Sequence, residues 1–211
     1  MEAITSQDLA RVFRHLADFA EAEKDRLNEL DSEIGDGDMG ITLAGGFQAI
    51  REASKGWDSK DCGQILGECG MAMANTAAGT IGTLLASALM NAGKRAAGKT
   101  ELRPEDVVDV LSTAYEAVQK RGRAQLGDKT MLDALYPAYA AAQKAVAEGR
   151  TLGEVLKACA EAAAQGAEAT RNMVATQGRA RWFQERSAGP IDPGAQALAA
   201  LIRAGVDHLT Q

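Results

Sequence analysis

The chain is short of most residues that specialised chemistry and sheet structure draw on. Aromatic residues make up 4% of it, and no segment of strand length alternates apolar with polar residues. A β-sandwich or β-barrel is therefore excluded, because such sheets need period-two runs rich in β-branched and aromatic side chains. The three cysteines, Cys62, Cys69 and Cys159, form no Cys-x-x-Cys pair and are odd in number, so they read as buried reduced thiols. There are two histidines, His15 and His208, and neither follows a Glu by three residues. A helical di-iron carboxylate site thus lacks its Glu-x-x-His units, and His15 reads as a structural or surface residue. Positive charge is in deficit: 23 Lys and Arg against 29 Asp and Glu, a net charge of −6. That argues against a nucleic-acid footprint, which needs a basic face, and leaves room only for a local basic patch. No stretch reaches the roughly 18 apolar residues of a membrane span, and Glu2 and Asp8 interrupt any signal-peptide core. The expected location is the cytoplasm, with neither nucleic acid nor membrane as partner.

What the chain has is alanine, and apolar residues at helical spacing. Hydrophobic residues are 46% of 211, enough for one sizeable core, and we expect one domain over residues 1–211. The spacing predicts eight helices. The first covers 6–27, with Leu9, Val12, Phe13, Leu16, Phe19 and Ala20 on one face. Further helices are expected over 39–54, 62–74, 84–97 and 104–121, the last opened by Pro104. The sixth covers 131–148, and Pro137 within it should kink or split it. The seventh runs over 151–176 from the capping-box spacing of Thr151 and Glu154. The eighth starts at Asp192-Pro193, an N-cap followed by Pro at N1. Short connections make sequential helices neighbours, so the fold class is an all-α antiparallel eight-helix bundle or barrel.

One stretch carries the chemistry: Leu30-Asp31-Ser32-Glu33-Ile34-Gly35-Asp36-Gly37-Asp38-Met39-Gly40. Asp31, Asp36 and Asp38 cannot share a face of one helix, so a loop is required, with Gly35 and Gly37 supplying left-handed backbone freedom. Two carboxylates 4 Å apart repel by about 1 kcal/mol in water and by about 4 kcal/mol at an effective dielectric of 20. Three that converge call for a cation, and an all-oxygen set favours Mg²⁺, Ca²⁺ or Mn²⁺. An EF-hand does not fit, since Gly40 and Phe47 stand where that loop needs acids.

A second pattern is a decoy. Gly93-Lys94-Arg95-Ala96-Ala97-Gly98-Lys99-Thr100 matches the P-loop formula, but a helical Leu/Ala run precedes it where that motif needs a strand. Other Gly-rich punctuation is more informative: Gly79-Thr80-Ile81-Gly82-Thr83, Gly127-Asp128-Lys129-Thr130, and the segment with Arg179, Arg181 and Arg186 before Asp192-Pro193-Gly194. With eight alternating helices these stretches and the Asp loop follow the first, third, fifth and seventh helices, and so gather at one end. Helix N-termini and Arg bind phosphate, and the carboxylates would hold its cations.

These motifs resemble the nucleotide-binding L subunit of the dihydroxyacetone and ketose kinase family. The resemblance rests on Leu30-Asp31-x-x-Ile34-Gly35-Asp36-Gly37-Asp38-x-Gly40, on Gly127-Asp128-Lys129-Thr130-Met131, and on Gly178-Arg179-Ala180 through Glu185-Arg186-Ser187 to Asp192-Pro193-Gly194-Ala195. It implies an eight-helix antiparallel barrel with ADP or ATP capping one end. Asp31, Asp36 and Asp38 would ligate two Mg²⁺. Met39, Gly40, Ile41 and Thr42, with Gly79, Thr80, Ile81 and Gly82, would approach the phosphates. Gly122, Thr130, Met131, Asp192, Pro193 and Gly194 would frame base and sugar. Arg179 would lie by the phosphates as the candidate catalytic residue. The resemblance also implies a partner K subunit that holds the ketone covalently on its own histidine, so that this chain alone is inactive. Better-known members carry His where this chain has Met39, Asn where it has Thr42, and Ser-Gly-Pro where it has Ile81-Gly82-Thr83. Those departures point to a ketose larger than dihydroxyacetone, such as erythrulose. A fatty-acid-kinase-like module is argued against by the absence of its usual Pro-x-Pro lead into the Asp loop, and two further alternatives stand beside a kinase subunit using ATP. One is a subunit with tightly held ADP that a phosphotransferase-system protein rephosphorylates. The other is a non-enzymatic helical protein that binds a metal or an apolar ligand.

Overall fold

Small residues set how closely these helices approach. In the computed structural model, which describes residues 1–211, nine α-helices form: α1 (Ser6–Ala22), α2 (Lys24–Ser32), α3 (Met39–Ala53), α4 (Cys62–Thr76), α5 (Thr80–Arg95), α6 (Pro104–Gly122), α7 (Leu132–Ala147), α8 (Leu152–Ala169) and α9 (Pro193–Leu209). Eight of them close a ring. Each of α3 to α9 packs on the next, and both α3 and α9 pack on α1; α2 stands outside the sequence of the ring, against α3 and α9. The interior is filled by Leu43, Ile50, Ile65, Met73, Leu132 and Val155, all fully buried. Ala138, Ala142, Ala160, Ala163 and Ala167 are buried along α7 and α8, where larger side chains would hold the helices apart. The three cysteines are free and buried, and burial pushes Cys62 up to about 11 and Cys159 up to about 12, so they are inert thiols.

One close approach is between α4 and α5. A Cβ on Gly93 would lie 2.6 Å from the Gly67 nitrogen and 2.7 Å from the Gly63 carbonyl oxygen. The first glycine of the P-loop decoy is thus a packing residue in the last turn of α5, and Gly98 ends that segment in a turn with φ of 77°.

The ring has two unlike ends. At the closed end, β1 (Ile4–Thr5) pairs antiparallel with β2 (Glu101–Leu102), Ile4 opposite Leu102. The Ser6 N–H donates to the Thr100 carbonyl and the Cys62 N–H to the Lys99 carbonyl. Helices α1, α4 and α8 start here with full capping boxes, Thr5 with Asp8, Asp61 with Gln64 and Thr151 with Glu154. At α6 the Asp106 carboxylate accepts the Arg103 N–H at 2.9 Å. At the opposite end, the mouth, α3, α5 and α7 start with no side-chain cap.

Several boundaries differ from the sequence reading. The predicted first helix breaks at Glu23, and α2 then runs on through Asp31 to Ser32, so Asp31 is helical and only Asp36 and Asp38 lie in the loop. Pro137 does not split α7, which runs unbroken through it. Gly166 explains the tolerance: α8 passes so close there that a Cβ would lie 2.1 Å from the Asp133 carbonyl and 2.9 Å from the Pro137 ring. The seventh predicted helix stops at Ala169, followed by a 3-10 turn over Thr170–Asn172, because the Thr170 hydroxyl bonds back to Ala167 and accepts the Asp192 N–H. The two-residue strands were not predicted; they are too short to carry a period-two signal.

Gly93→Ala is expected to destabilise the fold by about 2 kcal/mol, because the obstructing atoms are backbone. For a chain of this size that corresponds to a melting temperature lower by about 4–8 °C. Lys94→Ala at the exposed neighbour serves as control, and a melt unchanged by Gly93→Ala would show that the seam does not need its glycine.

Candidate functional site

The Asp loop is shaped by one buried carboxylate. Asp31 sits in the last turn of α2, and its Oδ2 accepts the N–H groups of Gly37 at 2.9 Å and Asp38 at 3.2 Å. The loop thereby folds back over the helix that precedes it. Gly35 is required there for space: a Cβ would lie 2.2 Å from Asp31 Oδ1. The left-handed position is Gly37, with φ of 75°, while Gly35 is not left-handed, which corrects its expected role. Ile34 is buried beneath the loop with Ala175, Ala180 and Phe183, a small apolar cluster that joins the Asp loop to the α8–α9 segment.

Oxygens of Asp31, Asp36 and Asp38 all lie within 4.8 Å of one another. Asp36 pairs with the Arg179 guanidinium at 2.8 Å. Asp38 precedes α3 but does not cap it, so its carboxylate is not committed to its own helix. Burial raises the Asp31 pKa, opposed by the two backbone N–H bonds and reinforced by the charges of Asp36 and Asp38. A cluster of this kind suits a hard divalent cation, since the donors are all oxygen and the repulsion among them is relieved by positive charge.

Around the cluster lies a cavity of about 250 Å³ whose walls come from all four connections at the mouth. The Asp loop and first turn of α3 contribute Asp31, Asp36, Asp38, Met39 and Thr42, and the start of α5 contributes Gly79, Thr80 and Ile81. Gly122, Thr130 and Met131 line it from the α6–α7 side, and Arg179, Asp192, Pro193 and Gly194 from the α8–α9 side. The predicted gathering of the four stretches at one end thus holds. Three candidates lie off the cavity lining. Ile41 is 60% exposed, Gly40 is buried against the Lys24 carbonyl, and Gly82 is buried against Ala77. The sequence reading missed Ile34, Leu84, Val118, Lys129 and Leu132, which also line the cavity. Four of these are apolar and carry the same signal as core residues. Lys129 stood inside a quoted motif, but nothing in the sequence marks a lysine as buried.

Two anion-binding features face this cavity. The starts of α3 and α5, which lack an N-cap side chain, direct the positive ends of their dipoles at the mouth, with the Ile41 N–H of α3 already donating to Asn28 Oδ1 at 3.2 Å. Arg179 stands at the rim, 71% exposed on its side chain and paired with Asp36. Deeper in, Leu84, Val118, Met131 and Leu132 make an apolar slot. The site can therefore hold a flat apolar group at one end and a charged phosphate–metal group at the other.

Comparison with known proteins decides the family. A model of the DAK2 domain matches residues 33–207. The chain belongs to the DAK2 domain family. Its relatives include the PEP-dependent dihydroxyacetone kinase 2, ADP-binding subunit DhaL, of Listeria innocua, 35% identical over 94% of this chain and 92% of that protein. The D-erythrulose kinase of Mycolicibacterium smegmatis is 34% identical over 96% of this chain but only 35% of its own length. Among solved structures, the dihydroxyacetone kinase from C. freundii in complex with AMP-PNP and Mg²⁺ superposes with a TM-score of 0.73 at 27% identity. The match covers 94% of this chain and 33% of that one, so this DAK2 domain spans about a third of the length of the larger kinases. The all-α antiparallel architecture is shared with it.

Asp192 caps α9 by accepting the Ala195 N–H at 2.7 Å, and burial raises its pKa to about 7 despite that bond and the nearby Lys129 charge. An unfolded chain releases this proton near pH 4. Between about pH 4 and 7 the folded state therefore binds more protons at this residue than the unfolded state, so its contribution to stability falls as pH rises. Asp192→Asn keeps an acceptor for the cap and removes the titration. Its stability relative to wild type, measured by urea melts, is expected to improve from pH 5 to pH 8, and an equal difference at both values would reject the assignment.

Proposed function

We propose that residues 1–211 form one nucleotide-binding domain, the ADP- or ATP-holding subunit of a two-component ketose kinase. The reaction is transfer of a phosphoryl group to a primary hydroxyl of a small ketone sugar held on a separate K subunit. The observation that carries this reading is the joint placement of three carboxylates, two uncapped helix starts and Arg179 around one cavity with an apolar slot. The names of the relatives, a dihydroxyacetone kinase ADP-binding subunit and an erythrulose kinase, support it.

Each part has a defined task. Asp31, Asp36 and Asp38 would hold two Mg²⁺, which would supply positive charge to offset that of the phosphates. Backbone N–H groups at the starts of α3 and α5 donate to the phosphates. Leu84, Val118, Met131 and Leu132 take the face of the base. Arg179 leaves Asp36 to meet charge on the transferred group. The residues do their work by positioning and by electrostatics, and the cavity holds no histidine or cysteine to act as base or nucleophile toward a ketone. That division fits a ketone presented by the partner. Met39 and Thr42, on the cavity wall, are the residues we assign to the choice of a ketose larger than dihydroxyacetone. Adenine nucleotide as the ligand keeps the expected site of action in the cytoplasm.

A second reading draws on the name of the Listeria relative, a PEP-dependent kinase with an ADP-binding subunit. In it the nucleotide stays bound as ADP and is rephosphorylated in place by a phosphotransferase-system protein. Slow exchange of bound ADP with free ATP would favour it, and rapid exchange would exclude it.

Asp36→Asn and Asp38→Asn are each expected to weaken Mg²⁺-dependent ADP binding at least about 100-fold by calorimetry, since each removes a charged ligand. Far-ultraviolet circular dichroism should stay unchanged. Unaltered affinity in either variant would reject the metal assignment. Mixed with its K subunit and ATP, the chain should phosphorylate dihydroxyacetone or erythrulose, and neither subunit should do so alone. No turnover of any short ketose, from ATP or from a phosphotransferase system, would overturn the kinase reading.

A further inference from the structure

Lys129 is the one lysine buried in the fold, 1% exposed, and it has no salt bridge. Its backbone is left-handed, with φ of 59°, a conformation that a non-glycine residue adopts at a cost. Its ammonium donates to the carbonyl of Thr170 and to the carbonyl of Pro190, each at 2.6 Å. Those two carbonyls stand near the two ends of the α8–α9 connection, whose residues 173–191 contain no α-helix and one 3-10 segment, Ala180–Ser187. One cation therefore joins the two ends of that stretch and ties both to the α6–α7 loop.

The neighbouring residue adds a second tie. The Thr176 hydroxyl donates to the Asp128 carboxylate at 2.6 Å, and the Thr176 N–H donates to the Asp128 carbonyl at 3.2 Å. Within the stretch, Ser187 is buried, accepts the Ala175 N–H at 2.8 Å and donates to the Gln184 carbonyl. The same stretch carries Gln177, Gly178, Arg179 and Ala180 to the cavity wall and sets Arg179 against Asp36. Only short 3-10 turns, interrupted at Gln184, order residues 180–187, so the position of the segment depends on what closes the loop.

We propose that Lys129 is a positioning residue: its ammonium latches both ends of residues 173–191 and so holds Arg179 and the cavity wall against the Asp cluster. Its effect on the reaction rests on the kinase reading above; its effect on the loop does not. A methionine of similar length fills the space but leaves both carbonyls without a donor. In Lys129→Met, amide hydrogen exchange in residues 173–191 of the free protein is expected to quicken about tenfold or more, with peptides from α4 and α5 unchanged. Lys129→Arg, which keeps the cation, should recover at least half of that protection. With the K subunit, Lys129→Met should lower kcat about tenfold while the KM for the ketone stays within about twofold, as expected when Arg179 is misplaced and ketone binding is not.

Wild-type exchange in residues 173–191 of Lys129→Met would overturn the latch, whatever the kinetics. If Lys129→Met does not fold, Lys129→Gln, which keeps a neutral donor, takes its place; unfolding of both would make Lys129 a strut of the whole fold and likewise overturn the proposal. Faster exchange in a chain that phosphorylates no ketose would leave the latch standing and remove the kinase reading.

Discussion

Helices that alternate in direction around a closed ring place four of their N-termini at each end. Each N-terminus has backbone N–H groups with no partner in its own helix, so eight sets must find partners elsewhere. The chain treats the two ends differently. At the closed end, capping boxes and the β1–β2 pair consume them. At the mouth, α3 and α5 begin without an N-cap side chain, although the Ile41 N–H in α3 is taken by Asn28 Oδ1. A helix start is common and says little alone. An end at which uncapped starts face three carboxylates and an arginine is suited to an anion that arrives with its own cations.

The Asp cluster answers the same constraint with the opposite sign. Asp31 is buried and satisfied by two N–H groups of its own loop, which fixes that loop before any ligand arrives. Asp36 and Asp38 are exposed and remain available. Arg179 offsets part of the charge on Asp36, so repulsion within the cluster is moderated without being removed. The resulting balance is one that a phosphate–metal complex would complete.

Much of this was legible in the sequence. The helical period in Leu9, Val12, Phe13 and Leu16 specifies an amphipathic helix, and Asp192-Pro193 specifies a start, because both signals are local. The placement of four connections at one end followed from alternation alone, once the number of ring helices was right. The break at Glu23 was not visible, since no Gly or Pro marks it and both sides are helical in composition. Asp31 was expected in a loop because only tertiary packing carries α2 that far. Apolar slot residues such as Leu84 and Val118 look like core in any periodicity argument. Lys129 was hidden for a related reason: a lysine in a polar motif reads as solvated until the carbonyls of Thr170 and Pro190 are seen around its ammonium.

The unequal capping has a consequence for how freely this site can change. Substituting a capping residue at the closed end costs stability directly, about 1 kcal/mol for each cap lost. Met39, Thr42, Ile81 and Thr83 stand in the first turns of α3 and α5, which have no side-chain caps to lose. The ring can therefore be held by one end while the residues at the other are exchanged at little cost to folding. The architecture thus separates what must persist for the helices to stand from what can change at the mouth.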